Sequence, residues 1–142
     1  MRKLKVKPSA IILEPFGRNT APAIAIAAIK ALEIYDDPNL LILSSDHQIE
    51  NEDKFSEVIE KALEYSEKER LVTFGIVPTS PEVGYGYIRS KDALDINQIK
   101  GSKIVSFIEK PQKSNAEIFV KDNRFTWNSG IFLFKASLIL KE

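Results

Sequence analysis

The chain has 142 residues, the size of one domain, and 44% of them are hydrophobic, which is enough for a sizeable core. Its 20 basic and 20 acidic residues cancel, which argues against a protein that chiefly binds nucleic-acid phosphates. The chain has no cysteine and no run of apolar residues long enough to span a membrane, so disulfides, thiolate metal sites and a membrane span are excluded. We therefore expect a cytoplasmic domain that binds neither nucleic acid nor membrane.

The first predicted elements are a short strand and a long helix. Residues 10–13, AIIL, are typical of a buried strand, and the turn 14–17 ends it. A helix over about 21–35 follows, apolar nearly all round, which predicts burial. A helix N-terminus favours polar ligand edges, so Glu14 would suit two adjacent donors such as those of guanine, and Gly17 would admit close backbone approach. Taken alone, this stretch favours the simpler interpretation of a Glu14–Arg18 surface ion pair.

The second strand ends in the most informative residues of the chain. The apolar run 40–43 is typical of a strand buried on both faces, and Ser44, Ser45, Asp46 and His47 follow it directly. Ligands of open α/β sheets gather at the carboxyl ends of such strands. Asp46 is therefore a candidate ligand-binding or metal-binding carboxylate, although it could equally cap the next helix. A structural role is the safer interpretation for His47.

Two crossovers predict a parallel sheet. A helix over about 52–68, capped by Asn51, shows apolar residues at helical spacing, and residues 71–77 form the next predicted strand. Three strands separated by two helices indicate βαβ units, hence a mainly parallel sheet with helices on both faces.

The second half of the chain carries polar residues at element ends. Gly84 and Gly86 alternate with tyrosines, either to bring backbone amides against a hydroxylated ligand or to form a hairpin turn. A polar, mobile excursion is expected over 91–102, then a strand ending in Glu109 and Lys110, which could instead be a solvent ion pair. After a short helix capped by Ser114, the last strand, 125–134, is interrupted by Asn128. A buried Asn must find partners, so it either ties loops together or binds ligand.

Five segments in order carry a resemblance to a known family: EPFGRNTAPAIA, LILSSDHQI, FGIVPTSPEVGYGYI, FIEKP and WNSGIFLF. Together they resemble the mannose-1-phosphate guanylyltransferases (GDP-mannose pyrophosphorylases), above all the bacterial type related to bifunctional enzymes with a phosphomannose isomerase domain. The resemblance implies a glycosyltransferase-A-like, Rossmann-like nucleotidyltransferase fold. It also implies attack of mannose 1-phosphate on the α-phosphorus of GTP, giving GDP-mannose and pyrophosphate with Mg²⁺. Self-association into a homo-oligomer stays open.

The resemblance also implies roles for individual residues. Asp46 matches the family's metal-binding aspartate, and Lys110 matches a cation near the phosphates; both would be catalytic. The other matching positions would bind substrate: the base lies by Glu14 and Gly17, and the sugar by Gly86, Glu109 and Asn128. No side chain need act as a nucleophile, because the sugar phosphate already is one at neutral pH.

The chain also departs from the family pattern. Family members begin with a strand and a glycine-rich loop of the form GGxGTRLWP, and they supply a second metal-binding Asp beyond the last strand. Neither matches here, so we expect residues 1–142 to be part of a catalytic domain with little transferase activity in isolation. A different base or sugar specificity, a non-catalytic assembly module on the same half-fold, and a metal-dependent glycosyltransferase remain alternatives.

Overall fold

The computed structural model describes residues 7–17 and 19–141 of the chain. Helices and strands alternate over most of this length, which agrees with the predicted α/β class. None of the helices in these residues combines the length and apolar character needed to cross a membrane. The elements in chain order are α1 (Thr20–Leu32), β1 (Asn39–Ile42), α2 (Glu52–Ser66), β2 (Val72–Ile76), β3 (Gly86–Ser90), β4 (Ile104–Glu109), α3 (Lys113–Phe119), β5 (Phe125–Lys135) and α4 (Ala136–Ile139).

The sheet is organised around β5, its longest strand. β5 pairs with β1, β2 and β3, and β4 joins the sheet through β3. Leu133 lies opposite residues of both β1 and β2, and Trp127 lies opposite residues of both β2 and β3. A residue can have only one partner on each side, so β2 occupies one edge of β5 while β1 and β3 share the other edge, end to end.

Every strand pair in the described residues is antiparallel, so the mainly parallel sheet expected from the sequence is not confirmed. β1 and β2 do run in the same direction, because each is antiparallel to β5. The βαβ reasoning therefore gave their directions correctly but not their pairing. The last strand in the sequence inserts between them, which no local pattern in β1 or β2 could reveal.

The strand expected over residues 10–13 is wrong. This segment has no helix or strand, and its side chains are exposed, with Leu13 86% accessible. A strand buried on both faces needs neighbours along its edges and on both sides. The other described residues supply neither, so the apolar pattern is present without its burial.

The helices agree better with their sequence patterns. α1 begins at Thr20 and buries Ala28, but Ile26 and Ile29 are exposed, so it is not buried all round. α2 is capped as predicted, since the Lys54 amide donates to Asn51 Oδ1 at 2.8 Å. The predicted cap of α3 is wrong, because that helix begins at Lys113, one residue before Ser114.

A small core fixes the second half of the chain. Tyr87 of β3 and Phe125 of β5 pack with Ala116 of α3, and the Phe119 ring stacks on Phe125 at 4.2 Å. The segment 91–103 includes residues 91–102, which were expected to be mobile, but it is tied to its surroundings. The Gly101 amide donates to Tyr65 Oη, and the Leu94 amide donates to the Asn123 carbonyl, both at 3.0 Å. The core and these ties hold β3 and β4 against β5.

Candidate functional site

A polar gap opens along one edge of β5. β1 leaves β5 at Phe132, and β3 joins the same edge at Trp127, so residues 128–131 lie between the two strands. We call this stretch the β5 gap. β1 runs toward it, and the turn that carries Asp46 follows the end of β1. β3 begins with Gly86 on the other side of the gap, so the topology directs both segments to one place.

The register brings three predicted sugar-binding residues to one face of the sheet. Gly86 and Glu109 are direct partners on β3 and β4. Trp127 is the partner of Tyr87, so the next residue of β5, Asn128, points to the opposite face, which is that of Gly86. Gly86, Glu109 and Asn128 thus share a face although they are far apart in sequence.

Gly86 is required by a close approach across β3 and β4. A Cβ at this position would lie 2.8 Å from Glu109 Oε2 and 2.7 Å from Phe107 Cζ. Real Cβ atoms do not approach other atoms so closely, so the absence of a side chain lets the carboxylate and the ring lie against the β3 backbone. Gly86 therefore sets the position of Glu109, besides any contact of its own with a ligand.

Asn128 is held in place by the chain itself. Its Oδ1 accepts from Thr73 Oγ1 at 3.4 Å and from the Gly130 amide at 3.3 Å. Next to it, Ser129 Oγ donates to the Phe74 carbonyl at 2.7 Å. The polar interruption of β5 therefore ties this strand to β2, whereas the sequence suggested either a tie between loops or binding of a ligand. Thr73 Oγ1 has a nearer acceptor in the Ile131 carbonyl at 3.1 Å, so the Gly130 amide is the main donor to the Asn128 side chain.

Lys110 is placed by an unusual backbone conformation. Its φ is 45°, in the left-handed region that residues other than glycine seldom adopt, and its amide donates to the Tyr85 carbonyl at 3.2 Å. Tyr85 in turn packs edge-to-face on Trp127, with ring centroids 5.2 Å apart. Among the described salt bridges, none joins Lys110 to Glu109, so the ion-pair alternative is not what this structure contains.

Asp46 lies in an exposed turn just after β1. Ser44 Oγ donates to Asp46 Oδ1 at 2.6 Å, and this bond, helped by nearby His47, lowers the pKa of the Asp46 carboxyl. The group is therefore a carboxylate over the whole neutral range, able to accept hydrogen bonds or coordinate a hard cation. The side chain that caps α2 belongs to Asn51, so Asp46 does not have the capping role that its sequence position also allowed.

Glu14 and Gly17 are not joined to this group. Both lie in the exposed segment before α1, and a Cβ at Gly17 would meet nothing within 4 Å. No close approach therefore requires a glycine at that position in the described structure. Arg18, the alternative ion-pair partner of Glu14, lies outside the described residues.

Within residues 7–17 and 19–141, no three His, Asp or Glu side chains come together as a ready metal cage. A cavity of about 500 Å³ lies between the end of β2, the 91–103 segment and the start of β5, and Val77, Leu94 and Phe125 are part of its lining. None of the described candidate residues lines it. The candidate site is instead an open face built from separate strand ends.

Sequence reasoning missed the residues that hold the candidates in place. Ser44, Thr73 and Ser129 bond to Asp46, Asn128 and the β2 backbone. A hydroxyl two residues before a turn aspartate is a recognisable local signal, so Ser44 could have been predicted. Thr73 could not, because its contact joins residues far apart in sequence.

Comparisons with known proteins agree on the family. The family model described as "Nucleotidyl transferase" matches residues 2–142. A protein of Vibrio cholerae serotype O1 is 50% identical over 136 residues, which are 96% of this chain and 29% of that protein. The mannose-1-phosphate guanylyltransferase of Klebsiella pneumoniae is 45% identical over all 142 residues, which are 30% of that protein.

A solved structure agrees with the architecture as well. The crystal structure described as mannose-1-phosphate geranyltransferase from Thermus thermophilus superposes with a TM-score of 0.79 at 31% identity. It covers 92% of this chain, and the match spans 37% of that protein. The chain spans about 30% of the length of the curated relatives it matches.

Proposed function

The chain belongs to the nucleotidyl transferase family, and from that premise we propose that its protein forms GDP-mannose and pyrophosphate from GTP and mannose 1-phosphate. The observation that carries the proposal is the convergence of Gly86, Glu109 and Asn128 on one face beside the β5 gap, toward which the turn with Asp46 also leads. The name of the Klebsiella pneumoniae relative supports the choice of sugar and base.

Recognition of the sugar falls to the shared face. The Glu109 carboxylate would accept hydrogen bonds from hexose hydroxyls, and the NH₂ group of Asn128 would donate to a hydroxyl oxygen. Neutral sugars need such fixed donors and acceptors, because hydroxyl groups offer direction but no charge. Because Gly86 has no side chain, the Glu109 carboxylate can lie close to the β3 backbone.

In this proposal, residues at the ends of β1 and β4 neutralise the negative charge of the substrate phosphates. The ammonium group of Lys110 would lie near the phosphates, and Asp46 would hold Mg²⁺ as one of few protein ligands. This donor chemistry fits the ion, because Mg²⁺ takes oxygen ligands and is commonly bound by one or two carboxylates together with waters and substrate phosphates. When bound, Mg²⁺ supplies positive charge to the phosphate oxygens.

In this proposal, the segment before α1 binds the guanine base. The exposed Glu14 carboxylate suits the two adjacent donors of guanine, and Gly17 leaves its backbone open to a flat ring.

The reaction then needs no nucleophilic side chain. A phosphate oxygen of mannose 1-phosphate bonds to the α-phosphorus of GTP, and the bond from that phosphorus to the bridging oxygen breaks, releasing pyrophosphate. The protein contributes alignment of the two substrates and stabilisation of the developing charge. A site of carboxylates, a lysine and amides, without a catalytic triad, is suited to that chemistry.

A thermal-shift titration with GDP-mannose and Mg²⁺ tests the proposal. A ligand at 100 times its dissociation constant stabilises the folded state by about 2.7 kcal/mol if it binds that state alone. We expect a Mg²⁺-dependent shift in the wild-type chain that Asp46→Ala abolishes. Glu50→Ala, which removes another exposed carboxylate of the same loop, should keep the shift.

Two results would contradict the proposal. An equal shift in Asp46→Ala would remove the metal role of that residue. A shift with UDP-sugars or ADP-sugars and none with GDP-mannose would assign the site to a nucleotidyltransferase of different specificity.

A further inference from the structure

We propose that the ring of Phe107 is the surface against which the hexose of the sugar phosphate packs, an inference that rests on the proposed function. Phe107 belongs to β4 and lies two residues before Glu109, so both side chains point to the same face. The ring is 52% exposed although it lies in the middle of a strand. An aromatic side chain thus stands open to solvent beside the candidate sugar-binding carboxylate.

The distances place the ring and the carboxylate side by side. Phe107 Cζ and Glu109 Oε2 lie 2.7 and 2.8 Å from a single point, the position that a Cβ of Gly86 would occupy. The missing side chain of Gly86 therefore accommodates both groups. Ile88, the direct partner of Phe107, shares its face and is buried, so this part of the face is packed. The tip of the ring, Cζ, reaches toward Gly86 at the open end of β3.

The chemistry of a hexose matches this pair of groups. A pyranose ring has hydroxyl edges and a face of C–H bonds. A carboxylate takes the hydroxyl edge through hydrogen bonds, and a flat aromatic ring takes the C–H face, removing apolar area from water. Binding sites commonly combine apolar walls with a few placed polar groups, and Phe107 with Glu109 is such a combination.

The opposite face of the same strands is already occupied. Tyr87 and Ile108 belong to the core that also contains Ala116 of α3, so that face is covered by a helix. On the face of Phe107, Ile88 and Thr126 are buried. The end of that face with Phe107 and Glu109 is exposed and continues to Asn128 at the β5 gap. A ligand entering the gap would therefore meet the ring next to the amide and the carboxylate.

The test compares two phosphate monoesters in calorimetric titrations of the wild-type chain. Mannose 1-phosphate has a hexose ring, and glycerol 3-phosphate has the same phosphate monoester on a three-carbon chain without a ring. We expect Phe107→Ala to weaken mannose 1-phosphate roughly tenfold, the worth of one apolar ring contact, and to leave glycerol 3-phosphate unchanged. Phe107→Tyr, which keeps the ring, should retain the wild-type affinity for both.

Val105→Ala is the matched control, because Val105 lies on the same strand and is similarly exposed, at 56%. It should bind both compounds like the wild type. If Phe107→Ala does not fold, Phe107→Leu keeps apolar bulk without the flat ring and should still weaken mannose 1-phosphate selectively.

Two results would overturn the inference, and they differ. If Phe107→Ala binds mannose 1-phosphate normally while Glu109→Gln weakens it, the sugar site stands and the role of the ring is refuted. If the wild-type chain binds mannose 1-phosphate no better than glycerol 3-phosphate, no hexose is recognised, and the proposed function fails with the inference.

Discussion

At the scale of single residues, Gly84 in the loop before β3 and Gly86 at the start of β3 offer a direct comparison. A methyl group at Gly86 would meet Phe107 and Glu109 at less than 3 Å, whereas one at Gly84 would meet nothing within 4 Å. We expect Gly86→Ala to displace the Phe107 ring and the Glu109 carboxylate and to destabilise the fold by about 1 kcal/mol, since both are exposed side-chain ends that can turn away. Gly84→Ala should change the free energy of unfolding by less than about 0.5 kcal/mol.

Urea unfolding of both variants measures the difference. Mannose 1-phosphate binding should fall in Gly86→Ala as well, because the displaced group is the Glu109 carboxylate. Equal stabilities for the two alanine variants would mean that the contacts of Gly86 are not tight in solution.

The pKa of the Asp46 carboxyl group depends on Ser44. The Ser44 hydroxyl donates to its carboxylate at 2.6 Å, and this bond is the largest cause of the lowered pKa of Asp46. Hydrogen bonding to the charged form favours that form, so Ser44→Ala should raise the pKa of Asp46 toward its ordinary 3.8. Carboxyl chemical shifts followed by NMR over a pH titration report it.

Ser45→Ala is the control for that titration, because no hydrogen bond from the Ser45 hydroxyl to Asp46 is described. A pKa of Asp46 that stays low in Ser44→Ala would assign the shift to another group.

At the scale of elements, the junction of α3 and β5 depends on one ion pair. Arg124 Nη2 donates to Asp122 Oδ2 at 2.7 Å, and Arg124 Nε donates to Oδ1 of the same carboxylate at 3.0 Å. These bonds, with the Arg124 amide, lower the pKa of Asp122 to about 2. The Arg124 carbonyl in turn accepts from the Ser90 amide at 2.8 Å, so the pair helps to join β3 to β5.

The pH dependence follows from the direction of this shift. A carboxyl group whose pKa is lower in the folded state stabilises the fold fully above its unfolded pKa, and the contribution is lost as the pH falls through the folded pKa. The difference in unfolding free energy between wild type and Asp122→Asn should therefore be greatest above about pH 4 and shrink toward about pH 2. Denaturant unfolding at several pH values measures it, and a difference that stays constant would refute this role of Asp122.

The elements also separate what sequence can and cannot predict. The helix over residues 52–66 can be predicted from local sequence, because its apolar residues recur at helical spacing and Asn51 caps it. The run 40–43 likewise gives β1 in nearly the right place. Its neighbour cannot be predicted in this way, because β5 comes some ninety residues later and its insertion depends on long-range packing. The run 10–13 fails for the same reason: a strand needs partners that its own residues do not specify.

The candidate site also has parts that local sequence predicts and parts that it does not. Asp46, Glu109 and Lys110 follow apolar runs directly, and this local pattern was enough to single them out. Which of them share a face depends on the register of three strands, and register is set by pairing across the sheet. The relation of Gly86 to Phe107 and Glu109 is therefore a property of the fold, which none of the three residues reveals in its own stretch of sequence.

At the scale of the whole molecule, β5 makes the sheet one cooperative unit. It pairs with three of the four other strands, and its Leu133 is 2% exposed between β1 and β2. Leu133→Ala should lower the free energy of unfolding by about 2–5 kcal/mol, because it removes apolar contact and leaves a cavity. Leu140→Ala, at a position that is 42% exposed, should cost less than about 1 kcal/mol.

The single tryptophan makes this prediction measurable at the centre of the sheet. Trp127 lies opposite both β2 and β3, so its fluorescence reports on β5, while far-ultraviolet circular dichroism reports on the helices. If β5 joins the strands and helices into one unit, the fluorescence and circular dichroism signals should follow one urea transition in the wild type. In Leu133→Ala both signals should shift together to lower urea concentrations. Separate transitions would contradict the single unit: the part around β3 and α3 would then unfold independently of β1 and α1, and Leu133→Ala would destabilise only one of them.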